Sequence, residues 1–216
     1  MTADIEAAYR LQMETARHRI ASGDRLAGYK IGCISAAVQS QLGVREPVFG
    51  CLYESEIHPS GTALDASRFN DLAIEGEFAV RFGIGVLGVI ELHNYRSVTS
   101  ACELIACNAM HAGVVLPRDG PHVRDLDLIL DEPLSVWKNG ELLGTATARS
   151  LPGGPAASIA RLEDHLARLG SHLEPGQLIL TGSPLPLYRV AEGDRIEVTC
   201  AKLGPPVTAT IRRAAL

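Results

Sequence analysis

Two glutamates one residue apart, Glu75 and Glu77, lie in the segment Leu72 to Phe82, where apolar and charged residues alternate. On a strand this parity places Leu72, Ile74, Phe78, Val80 and Phe82 on one face and Glu75, Glu77 and Arg81 on the other. Carboxylates at i and i+2 have β-carbons about 7 Å apart, which suits two hard oxygen ligands converging on one Mg²⁺ or Mn²⁺. The same pattern also describes a solvated strand face. Glu91 favours the first reading, because it stands inside the apolar run Val86 to Leu92, where a lone carboxylate is costly unless a cation answers it. Arg81 or Arg96 could supply that charge as well as a metal could.

Lys30 occupies a comparable position within Ala27 to Gly32. An internal lysine there can have a lowered pKa and act as acid or base; a strand-end lysine reaching back to water is the alternative. The turn Thr181, Gly182, Ser183, Pro184 follows the apolar strand Leu178 to Leu180, and its amides and hydroxyls could hold a carboxylate or simply form a tight turn. No nucleophile elbow, P-loop or glycine-rich dinucleotide turn opening a helix is present. None of the seven histidines has i, i+4 spacing to another, which argues against a histidine-rich zinc site. His165 and His172 read as solvated, and His111 as a helix terminus.

These groups need elements to position them. Residues 3–22 read as an amphipathic helix with Ile5, Tyr9, Met13, Ala16 and Ile20 inward; 28–34 as a strand; and a short helix follows, capped by Ser35, running through Gln41 and ended by Gly43. Strands follow at 72–82 and 86–93. Ser100 and Glu103 form a capping box for a helix running to about His111. Asn139 and Gly140 mark a hairpin between 134–138 and 141–146, Pro155 opens a helix that Gly170 closes, and strands fit at 177–182, 195–200 and 206–212. Helices lead and strands dominate the second half, so the expected class is α+β. One domain, 1–216, is expected, with a helical lead-in over 1–45 and a β-rich body over 46–216.

Composition narrows the functions. The 20 basic residues against 25 acidic ones, net charge −5, give no footprint for nucleic acid and disfavour an anionic membrane. Five cysteines without C-x-x-C spacing fit a reducing, cytoplasmic setting. The acidic amino terminus is unlike a signal peptide, and the apolar run 84–90 is too short to span a bilayer.

The ordered segments Gly28 to Gly32, Ala37 to Val44, Pro47 to Gly50, Glu75-Gly76-Glu77, Asn108 to Gly113, Lys138 to Glu141, Leu169-Gly170 to Pro175-Gly176 and Leu178 to Ser183 are more specific together than any is alone. From about Ala7 onward the chain resembles the 2-keto-4-pentenoate hydratase and 4-oxalocrotonate decarboxylase group of the fumarylacetoacetate hydrolase superfamily. The resemblance implies a mixed β-sandwich roll with flanking helices, a homo-oligomer of at least two copies, and Mg²⁺ or Mn²⁺ held by Glu75, Glu77 and Glu91. It implies a small 2-oxo acid as substrate, Lys30 as the acid/base group and Thr181, Gly182 and Ser183 as a substrate-contacting turn. The implied reaction is hydration of a 2-hydroxy-2,4-dienoate to a 4-hydroxy-2-oxo acid in aromatic catabolism. Decarboxylation of a 4-oxalocrotonate-type acid, or a non-catalytic paralogue that binds a metabolite or partner, are the alternatives. Three departures stand out. The stretch from Glu77 to Glu91 is shorter than the group's pattern, and Cys107 replaces an acidic residue. Ser55 stands where an aspartate is usual, and of its flanking glutamates Glu54 is assigned the catalytic place.

Overall fold

A computed structural model describes residues 3–121 and 123–213. In chain order the elements are α1 (Ala3–Ala21), β1 (Leu26–Gly32), α2 (Ala36–Leu42), β2 (Val48–Tyr53), β3 (Ile57–Pro59), β4 (Thr62–Asp65), β5 (Leu72–Arg81) and β6 (Gly85–Asn94). They continue with α3 (Ala101–Ala106), β7 (His111–Leu116), β8 (Pro133–Lys138), β9 (Glu141–Thr147), α4 (Gly154–Arg168), β10 (Leu178–Leu180), β11 (Tyr188–Arg189), β12 (Arg195–Thr199) and β13 (Val207–Arg212).

Two mixed sheets form an α+β fold. The larger runs β2-β1-β10-β5-β6-β7-β3 and curls into a half-barrel; the smaller runs β4-β13-β12-β8-β9. The even-numbered face of β5 meets the smaller sheet, so Ile74 and Phe78 pack with Val136, Ile196 and Val198 in one core. Gly76 lies where the smaller sheet packs closely on β5: a Cβ there would stand 2.5 Å from Val136 Cγ2. A glycine between the two glutamates is therefore a packing requirement of their strand. The other face of β5 looks into the half-barrel, filled below the glutamates by Ala79, Leu87, Val89, Val114, Leu178 and Leu180.

The edge of β5 is shared. β10 pairs with its residues 79–81 and β11 with 73–74, and the chain between them swings away opposite Glu75 to Phe78. This parting of strands opens the half-barrel to a cavity at the level of the glutamates. β1, from the lead-in, lies inside the large sheet, parallel to β10.

Most expected elements form, with three corrections. The buried stripe of α1 is Ala8, Tyr9, Gln12 and Ala16, while Ile20 is exposed; Gln12 is drawn inward because its amide donates to the Phe49 and Ile105 carbonyls. The helix after Ser100 ends at Ala106, because Asn108, Ala109 and Met110 turn left-handed (φ 54°, 52° and 60°) and His111 begins a strand. His165 is buried, with its ring against Tyr9 and Phe49 at centroid distances of 4.4 and 4.3 Å, where it docks α4 onto α1 and β2.

Burial, aided by Arg168, pushes the His165 imidazole down from 6.5 to about 4. The unfolded chain then takes up a proton below pH 6.5 that the folded chain refuses, so this contribution to stability is full above pH 6.5 and lost as pH falls towards 4. Urea midpoints measured across that window will fall by the equivalent of about 2–3 kcal/mol, and His165→Phe will flatten the slope.

Candidate metal centre

β5 and β6 form an antiparallel hairpin in which Glu75 lies directly opposite Glu91 and Glu77 opposite Val89. Strand alternation puts all three carboxylates, and His93 two residues beyond Glu91, on the concave face. Glu77, Glu91 and His93 are buried, at 1%, 0% and 3% exposure. Lys30 reaches them from β1: its Nζ lies 2.5 Å from Glu91 Oε1 and 3.4 Å from the Ala109 carbonyl. On a flat sheet β1 and β6 would be about 14 Å apart, so this contact depends on the curl.

His111 Nδ1 contacts the same Glu91 oxygen at 2.8 Å. Its Nε2 faces Glu56 Oε2 at 3.8 Å, and Arg19 holds the other Glu56 oxygen at 2.6 Å. The second Glu91 oxygen, Oε2, lies 3.4 Å from His93 Nε2, which is also 2.9 Å from Glu75 Oε2. Neither contact has hydrogen-bond geometry, and Glu91 Oε2 and His93 Nε2 are buried without a hydrogen-bond partner. Ligand atoms of Glu75, Glu91 and His93 all lie within 4.8 Å of one another. Orphaned buried oxygen and nitrogen at that spacing fit a divalent cation.

Charge on these groups follows from burial and neighbours. Burial and the fields of Glu91 and Glu75 hold Glu77 well above the usual carboxylate range, although the Gly182 amide donates to it at 3.2 Å. Burial would raise Glu91 too, but Lys30, His93 and His111 outweigh it and hold Glu91 well below that range. For His93, burial is overcome chiefly by Glu91, and its pKa is raised to about 9. Lys30 corrects the expectation of a lowered lysine: burial alone would lower it, but Glu91, Glu77 and Glu75 together raise it, so the free protein carries an ammonium there.

The site residues named from sequence divide. Lys30, Glu75 and Glu77 line a cavity of about 420 Å³ with Gly182, Ser183 and His93, and Glu91 is fully buried beside them, in contact with Lys30 and His93. Thr181 is fully buried and its hydroxyl donates to the Phe78 carbonyl at 2.7 Å, so it shapes the turn without facing the cavity. Ser183 lines the cavity, but its hydroxyl is engaged by the Leu185 carbonyl and amide. Glu54 is a correction: it is exposed and paired with Arg25, because the short helical turn over 54–56 points it outward and Glu56 inward. His93 and His111 carried no i, i+4 spacing; the signal available for His93 was its i+2 parity with Glu91.

No family model matches the chain. It is 31% identical over 225 residues to 2-keto-4-pentenoate hydratase 2 of Dechloromonas aromatica, covering 94% of this chain and 84% of that one. It belongs to the 2-keto-4-pentenoate hydratase and 4-oxalocrotonate decarboxylase group. A 4-oxalocrotonate decarboxylase of a Pseudomonas species is 30% identical over 213 residues, covering 88% of this chain and 80% of that one. The solved 4-oxalocrotonate decarboxylase of Pseudomonas putida G7, complexed with magnesium and adipate, superposes with a TM-score of 0.87 at 27% identity over 98% of this chain and 86% of that one. The fold of the fumarylacetoacetate hydrolase superfamily expected from sequence is therefore present. The short link from Glu77 to Glu91 is a turn over 82–84 that closes the hairpin, and the register carries Glu91 to Glu75.

Removing the ammonium leaves Glu91 buried without its nearest full charge. Lys30→Met will lower the stability of metal-free protein by about 3–5 kcal/mol, as loss of one partner of a buried pair does. Added Mn²⁺ will restore much of it, a rescue readable in paired denaturation curves with and without the ion.

Proposed function

We propose that the chain is a divalent-metal-dependent hydratase that adds water to a small 2-hydroxy-2,4-dienoate with an uncharged tail, giving a 4-hydroxy-2-oxo acid. The cavity carries this reading. Its charged groups, Lys30, Glu75, Glu77 and His93, cluster at one end, and the remaining wall is largely apolar, with Ile34, Val38, Val48, Leu104, Met110 and Leu187 among its residues. Among the described residues no arginine and no second lysine lines it. A substrate with one carboxylate places its charge at the polar end and its diene against the apolar wall. A dioic acid would bury its second carboxylate without a cation, at a cost of several kcal/mol. The same contrast disfavours decarboxylation of a 4-oxalocrotonate-type acid here.

Glu75, Glu77 and Glu91 would hold Mg²⁺ or Mn²⁺, and the orphaned Glu91 Oε2 supports that assignment. When bound, the cation supplies Lewis-acid stabilisation for negative charge developing on the 2-oxygen of the substrate. Lys30 holds a proton at Nζ beside the carbon chain and is the candidate donor to, and acceptor from, the dienol as it ketonises. The left-handed turn that ends in Met110 brings the Ala109 carbonyl to 3.4 Å from Lys30 Nζ, a second acceptor for the ammonium beside Glu91. The apolar wall keeps bulk water off the conjugated system until one molecule adds at C4. The Gly182 amide keeps Glu77 turned into the site. The reading includes a homo-oligomer in the cytoplasm; the five free cysteines are compatible with a reducing compartment, and among the described residues no helix is long and apolar enough to cross a membrane.

Purified protein with Mg²⁺ or Mn²⁺ will consume 2-hydroxypenta-2,4-dienoate, followed as loss of diene absorbance. Lys30→Met will slow the reaction by about 10²-fold or more. Carbon dioxide released from 4-oxalocrotonate without hydration of the monoacid would establish the decarboxylase instead, and turnover of neither would leave a binding protein.

A further inference from the structure

The structure assigns His93 as a nitrogen ligand of the metal, which makes this a mixed carboxylate and imidazole centre that prefers Mn²⁺ and other first-row transition ions to Mg²⁺. The assignment rests on the proposed metal-dependent reading of the same cavity and adds to it a donor of a different kind.

Four observations carry it. His93 lies on the same strand face as Glu91, two residues along, so no loop movement is needed to bring it to the carboxylates. Its Nε2 is 2.9 Å from Glu75 Oε2 and 3.4 Å from Glu91 Oε2, so one ring nitrogen and two carboxylate oxygens converge on one point. Neither ring nitrogen has a hydrogen bond although the residue is only 3% exposed, and His93 faces the cavity where substrate would enter. Among the described residues, Glu75, Glu91 and His93 are also the one trio of acidic, cysteine or histidine side chains with ligand atoms mutually within 4.8 Å. An imidazole without a hydrogen bond in so buried a place is costly, and a cation at Nε2, shared with the two carboxylates, accounts for it.

Nitrogen changes the ion the site selects. Mg²⁺ takes oxygen ligands almost exclusively, whereas imidazole suits the later first-row ions, and Mn²⁺ accepts both. A site of carboxylates alone would discriminate weakly between Mg²⁺ and Mn²⁺; one with His93 bound favours Mn²⁺.

Pulsed electron paramagnetic resonance of the Mn²⁺-loaded full chain tests the ligand directly. A directly coordinated ¹⁴N coupling is expected, replaced by ¹⁵N coupling when the protein is grown on ¹⁵N-histidine, and lost in His93→Gln. Calorimetric titration of the same two proteins will show the preference for Mn²⁺ over Mg²⁺ falling by about tenfold or more in the variant. Mn²⁺ bound without nitrogen coupling, or with coupling that survives His93→Gln, overturns the assignment while leaving the hydratase reading in place. The spectrum of the unaltered protein decides this even if the variant fails to fold. A wild-type chain that binds neither ion removes both readings together.

Discussion

Lys30 and Glu91 meet at 2.5 Å with almost no surface exposed, and each would be untenable there alone. The surroundings are arranged around that fact. His111 and His93 approach the two Glu91 oxygens from the sides, the Ala109 carbonyl takes another Lys30 contact, and two further carboxylates lie along the same wall. The left-handed run Asn108 to Met110 is strained for residues with side chains, at a cost of order 1–3 kcal/mol each. Asn108 holds it in place, its amide pairing with both backbone groups of Cys51 as a neighbouring strand would.

A buried pair of this kind is a poor way to obtain stability, since well-packed apolar side chains would do as well or better. Its value lies in the alternatives it keeps open. With three carboxylates facing one ammonium and two imidazoles, the cluster has more negative groups than lysine alone can answer, and Glu77 responds by favouring its proton. A divalent ion would release that proton and relieve the field on Lys30, so metal occupancy and the proton affinity of the lysine are linked. The free protein and the loaded protein therefore present different acids to the cavity.

Much of the centre was legible in the sequence, because strand parity is local. Glu75 and Glu77 could be placed on one face from alternation, and Glu91 and Lys30 stood out by their places in apolar strands; that Glu91 arrives opposite Glu75 depends on the register of the hairpin. What sequence could not supply was the surroundings of each group. Glu54 and Glu56 differ by two residues within a single helical turn, and nothing short of that turn's orientation distinguishes the outward one from the inward one. Thr181 reads as a ligand-facing hydroxyl until the parting of β10 from β5 gives it the Phe78 carbonyl. His111 was hidden by an apparent helix whose pattern continues past Ala106, where Asn108 breaks it through a contact with Cys51, far away in sequence. His165 was hidden similarly, its ring buried by α1 and β2 rather than by its own helix.

The hairpin of β5 and β6 carries every carboxylate of the cluster and His93, and a turn of a few residues joins its strands. Sequence distance between Glu77 and Glu91 is consequently set at the tip: residues added over 83–84 would leave the register opposite Glu75 as it is. Parity allows no such freedom, since one residue gained within either strand turns its ligands through the sheet. Changes of length in this part of the chain are thus compatible with the ladder only at the tip, where Phe82 is itself tied through its backbone to Gly176 and Gln177.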